Sequence, residues 1–194
     1  MRKTKITMQL DRAIRHIVIL MPLVFPLPSA FSQVVKLTSK PRPQASGNSL
    51  SLTASPASVS FSLVSQGTAT GSGSVSITVT TDFSKEMTVN IYGFFASATS
   101  ALKGQKSGAL IPSSAVLGQV PHGLPSSFTP FTQSAPFGGA GAGLELVSTP
   151  VSEATDPSEL PGVALMLNLE INLGGHVLPA DTYTGTLTIQ AQAP

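Results

Sequence analysis

From Val163 to Leu173 every odd-numbered residue is apolar: Val163, Leu165, Leu167, Leu169, Ile171 and Leu173, with Asn168, Glu170 and Asn172 facing the other way. Successive side chains of a β-strand point to opposite faces, so this spacing gathers one oily face and one wetted face. A helix would spread the same six residues around its circumference. The segment is therefore predicted to be a strand. A single strand cannot bury its apolar face alone, so the chain must supply partner strands and a second layer to cover them.

The same period recurs from Ser49 onward. Leu50 and Leu52 begin it, Val59, Phe61 and Leu63 follow Pro56, and Val75, Ile77 and Val79 alternate with Ser and Thr. Met87, Val89 and Ile91 lead into Tyr92 and Gly93, where a missing Cβ predicts a bulge or a close backbone approach. Leu144 and Leu146 flank Glu145, and Tyr183, Gly185, Leu187, Ile189 and Ala191 alternate with Thr184, Thr186, Thr188 and Gln190. Between Ala96 and Gly143 the pattern loosens. A helical turn is expected over residues 98–102 and short strands near Val116-Leu117 and from Phe128 to Phe131. Small polar residues between the apolar ones fit antiparallel sheets wetted on one side, whereas parallel sheets buried on both sides show continuous apolar runs. The predicted fold is all-β, an Ig-like antiparallel two-sheet sandwich. With no Cys in the chain it must hold together by burial, without disulfides or thiolate metal sites.

The N-terminus predicts a signal peptide over residues 1–32. Basic residues precede the apolar run Ile17 to Pro28, and Ala30-Phe31-Ser32 places small residues before Gln33. That run contains Pro22, Pro26 and Pro28 and is shorter than the ~20 helical residues a bilayer core requires. It is expected to be cleaved and to leave no stable membrane anchor. Residues 33–47, interrupted by Pro41 and Pro43, read as a flexible linker, and 48–194 as the single β-sandwich domain. The expected location is secreted or periplasmic, at the cell surface.

Charge distribution excludes nucleic acid as a partner. The first sixteen residues hold five cations against one acid, a net +4, and since the whole chain carries +2 the remainder carries −2. Beyond Arg42 the only cations are Lys85, Lys103 and Lys106, too few to follow a phosphate backbone.

No residue pattern specifies catalysis, and neither an enzyme activity nor a cofactor or metal is expected. His122 and His176 sit in turn-like contexts without a spaced ligand partner. Ser is abundant, but no Gly-x-Ser-x-Gly elbow is present. Glu153, Asp156 and Glu159 read as a solvated acidic loop, since sugar-cleaving carboxylate pairs usually act over aromatic floors and this chain has no Trp. The glycine-rich run Gly138 to Gly143 leads into Leu144-Glu145-Leu146, a strand pattern, where a phosphate cradle would need a helix N-terminus. Phe128, Phe131 and Phe137, just before that loop, are the candidate binding surface, with an aromatic plug over the core as the plainer alternative.

The stretch Leu178-Pro179-Ala180-Asp181-Thr182-Tyr183-Thr184-Gly185-Thr186-Leu187-Thr188-Ile189 resembles the closing strand of spore coat protein U-type and archaic chaperone-usher pilin domains. It is also similar to the ending of a group of uncharacterised secreted bacterial Ig-like proteins, and the blocks Ile111 to Val116 and Pro136 to Gly143 fit that second group better. The resemblance covers under a tenth of the chain. It implies an extracellular, non-catalytic structural subunit held to copies of itself or to other surface proteins by strand exchange. The chain departs from the pilin pattern in lacking the Cys pair and in the prolines of residues 33–47, which leave Leu50-Ser51-Leu52-Thr53-Ala54 as either a donor strand or simply the first strand of its own domain. The expected role is a pilin-like or surface-coat subunit of structural or adhesion type. The alternative is an extracellular glycan- or protein-binding module using the loop region from Phe128 to Gly143.

Overall fold

The computed structural model describes residues 17–24, 48–62, 67–134, 136, 138–153 and 162–194, with 17–24 described as backbone alone. Its strands are β1 (Ile17–Val24), β2 (Ser49–Ser55), β3 (Thr68–Thr70), β4 (Val75–Asp82), β5 (Met87–Phe94) and β6 (Leu102–Gly104), followed by β7 (Leu110–Ile111), β8 (Val116–Gln119), β9 (Thr129–Pro130), β10 (Gly143–Val151), β11 (Gly162–Asn172) and β12 (Tyr183–Gln192). The expected linker, the signal-cleavage region and the acidic residues Asp156 and Glu159 lie outside the described residues.

The strands form two antiparallel sheets. One runs β10-β5-β12-β6-β7, with β1 also on β12; the other runs β2-β4-β11-β8-β9, with β3 also on β11. The all-β antiparallel sandwich read from the period-two pattern is the architecture observed. In β11 the alternation becomes burial directly: Leu165, Leu167, Leu169 and Ile171 are buried, Met166 and Asn172 are exposed, and Val163 at the strand's start is half-buried. Val75, Ile77 and Val79 of β4 face the same interior, as do Val89 and Ile91 of β5 from the opposite sheet.

Local departures have physical reasons. Val59 and Phe61 are fully buried, but they belong to no strand; Phe61 forms an isolated bridge to Gly71. The expected helical turn over residues 98–102 is not formed; Leu102 instead opens the short strand β6 against β12. Long-range pairing outweighs helix propensity here, because a single helical turn gains little by itself. Strand β3 carries a single buried residue, Ala69, too little alternation to be legible.

Phe131 is completely buried between the sheets, so it lies off the surface expected for it. A Cβ added at Gly93 of β5 would lie 3.1 Å from one edge of its ring, and one added at Gly118 of β8 would lie 3.2 Å from the other. Each sheet thus gives up a side chain to admit the ring. Phe95 packs on it edge-on, with centroids 5.2 Å apart and planes at 73°, the arrangement in which a ring's positive edge meets a negative face. Gly93 is therefore a close-approach glycine, and the bulge of this strand pair sits in β10, between Glu145 and Val147.

Candidate functional site

Strand β12 has two edges, and they are used differently. Along one run β5, opposite Thr188–Gln192, and β6, opposite Tyr183–Gly185. Strand β1 pairs with the whole stretch from Thr184 to Ala191, overlapping both, and so occupies the other edge. Its register sets Ile17 opposite Ala191, Ile19 opposite Ile189, Met21 opposite Leu187 and Leu23 opposite Gly185. This eight-residue edge is covered by part of the apolar run expected to act as a leader. An edge strand is a row of backbone donors and acceptors able to template another strand.

A second feature lies on the outer face of the same sheet. Tyr92 on β5 stands opposite Glu145 on β10 and opposite Gln190 on β12. The bulge after Glu145 breaks strict alternation there, and the Glu145 N–H is held by the side-chain oxygen of Gln133 at 2.6 Å. Tyr92 and Glu145 share a hydrogen bond; burial, then the nearby carboxylate charge and that bond, raise the Tyr92 pKa above its ordinary value. Together with Gln133, Ser134, Pro136 and Gln192 they line an open depression of about 540 Å³. Gln133, Ser134 and Pro136 come from the loop region singled out in the sequence. The sequence does not mark Tyr92, Glu145 and Gln192 as one site, because only strand pairing brings together residues 92, 145 and 192. The available signal was the outward position of Tyr92 in an otherwise Thr- and Asn-rich face.

Among the described residues the remaining candidates do not converge. Phe128 is half-buried, and Phe137 lies outside the described residues. His122 and His176 are both exposed. Because Gln119 pairs with Asn168 while Val116 pairs with Ile171, the turns that follow β8 and β11 leave from opposite ends of that strand pair, separating the two histidines. Among the described residues no cluster of three His, Asp or Glu could hold a metal ion. In the glycine-rich loop the N–H groups of Gly139, Gly141, Ala142 and Gly143 donate to Phe95 O, Ser134 Oγ, Gly139 O and Gln133 O respectively. Those amides are already committed within the loop and its supports. Gly138 and Gly141 have φ of 84° and 73°, where L side chains are strained, so the run is a turning connector.

Among the described residues the one clearly perturbed carboxylate is structural. Asp181 is 6% exposed, and its Oδ2 accepts from the Lys106 N–H, the Ser107 N–H and the Ser107 hydroxyl, while Oδ1 accepts from the Thr182 N–H. The Ser107 bonds lead in lowering its pKa from 3.8 to about 2. They clamp the β6–β7 turn onto the start of β12, where the Tyr183 hydroxyl donates to Pro179 O at 3.0 Å. No helix among the described residues is long and apolar enough to cross a membrane. Compared with protein-family models, with curated proteins and with solved structures, the chain matches none.

Proposed function

We propose that this chain is an exported, non-catalytic structural or adhesion-type surface subunit that joins its neighbours by taking a strand onto the outer edge of β12. The observation that carries the reading is the pairing of Thr184 to Ala191 with Ile17 to Val24 and, among the described residues, with no other strand on that side. Removal of a leader through Ser32 would strip that edge. The exposed groups would then satisfy themselves with water or with an incoming strand, and main-chain bonds to a peptide give affinity while alternate side chains give specificity. Leu187, Ile189 and Ala191 are fully buried and alternate along that strand, so an incoming segment must be apolar at every second position. The resemblance of residues 178–189 to the closing strand of pilin-type domains agrees with this role.

The test compares the full chain with residues 33–194, by sizing over a concentration range and by electron microscopy. The processed form is expected to give concentration-dependent oligomers or filaments. An added peptide of residues 17–24 should suppress them by occupying the same edge. A processed form that stays monomeric, binds no such peptide and keeps the amides of residues 184–191 protected from exchange would refute the proposal.

A further inference from the structure

The depression around Tyr92 and Glu145 has a chemistry of its own, independent of the β12 edge reading. Its lining combines an aromatic ring, one carboxylate, two primary amides, a hydroxyl and a proline. No Lys or Arg lines it, and Glu145 adds negative charge, so phosphate, sulfate and carboxylate ligands are disfavoured. One carboxylate is too few oxygen ligands for a hard cation. The depression is open, so an apolar molecule lying in it would keep much of its surface in water.

What does fit is a molecule whose own groups are both donors and acceptors. An ionised carboxylate offers about four acceptor positions, and the bond with Tyr92 uses one of them. Gln133 spends its side-chain oxygen on the Glu145 N–H, leaving its amide nitrogen as a donor at the rim. Ser134 accepts from Gly141, leaving its hydroxyl proton to donate. Gln192 brings an acceptor and two donors. The tie from Gln133 and the turn connector behind Ser134 hold these groups in place before any ligand arrives, which limits the ordering cost of binding.

We propose that this depression is a binding site for a neutral sugar chain, with the Tyr92 ring as its platform and Glu145 accepting hydroxyls from the sugar. The sheet face continues past Tyr92 to Asn90, whose Oδ1 accepts from the Ser148 hydroxyl at 2.7 Å. This polar, open track suits successive units of an extended chain better than one enclosed monosaccharide.

The test is titration calorimetry of the full chain against neutral hexasaccharides of glucose, xylose and mannose, β- and α-linked. At least one is expected to bind in the millimolar range or tighter. Glu145→Gln should weaken it by about tenfold, through loss of charge-assisted hydrogen bonds. Tyr92→Ala should weaken it by about tenfold or more, through loss of the ring. Tyr92→Phe retains the ring and should retain most of the affinity, and Lys103→Ala on β6 should leave it unchanged. Thermal melts of each variant separate a lost site from a lost fold. Absence of binding to every sugar by the folded chain overturns the proposal, as does binding that Glu145→Gln and Tyr92→Ala leave unchanged. Preferential, salt-sensitive capture of a lysine-rich peptide would also overturn it, showing a lone carboxylate acting as a charge and not as a hydroxyl acceptor.

Discussion

Ser107 gives Asp181 both its backbone N–H and its hydroxyl, each 2.7 Å from the same carboxylate oxygen, although 74 residues separate them. The contact binds a hairpin turn to the entry of the strand whose outer edge is proposed to be the assembly surface. Charge-assisted bonds of this kind are shorter and stronger than neutral ones, and all of them require Asp181 ionised.

Acid should therefore destabilise the protein in part through Asp181. Its folded pKa is about 2, below the ordinary 3.8, so between those values the unfolded chain binds a proton that the folded chain does not. The contribution is present above pH 4 and is lost as pH falls toward 2. Asp181→Asn should lower Tm at neutral pH by roughly 2–8 °C and flatten its acid dependence over that window, as followed by circular dichroism. An unchanged pH profile would remove Asp181 from the account.

The chain's two tyrosines, Tyr92 and Tyr183, are both raised above the ordinary 10.0, burial being the larger cause in each. As pH rises past that value the unfolded chain releases protons that the folded chain keeps, so stability declines there. Tyrosinate absorbance should stay low at pH 10 and appear together with the loss of β-sheet signal. A titration complete by pH 10 in folded protein would contradict this.

Phe131 is the ring shared by the two sheets. Phe131→Ala should cost about 3–5 kcal/mol, because neither Gly93 nor Gly118 has a side chain to fill the void. Gly118→Val should also destabilise, since even a Cβ there meets Leu144 at 2.8 Å, and overpacking of a dense core typically costs about 1–3 kcal/mol. Denaturant unfolding at constant m-value gives both numbers.

Gly185 holds β12 against β6. An added Cβ would collide with the carbonyl oxygen of Ala101 and lie 2.9 Å from a methyl of Leu102. Gly185→Val is expected to open the β6–β12 pairing, with faster amide exchange over residues 102–104 while β5 stays protected. Uniform loss of protection in both sheets would mean that β6 and β12 unfold with the whole domain.

Much of the scaffold was legible because burial follows period two. Leu165 to Ile171 on β11 and Val75 to Val79 on β4 announced both their conformation and their inward face. Short strands were less legible: β6, β7 and β9 contain two or three residues each, so they are selected by the long strands beside them and not by their own pattern. Phe131 was legible as apolar but not as buried, because its place depends on two glycines, 38 and 13 residues before it in the chain.

Sequence alone determined that alternate residues would form an oily face, that strands would stack in two layers, and that no disulfide would assist them. Those properties are local, written in the side-chain period and in composition. Tertiary structure alone decided that Ile17–Val24 lies on the free edge of β12, that Ser107 reaches Asp181, and that Tyr92 meets Glu145. Strand order and register are set by competition among many apolar faces across the whole chain, and the pairs they bring into contact leave no mark on the residues near either partner.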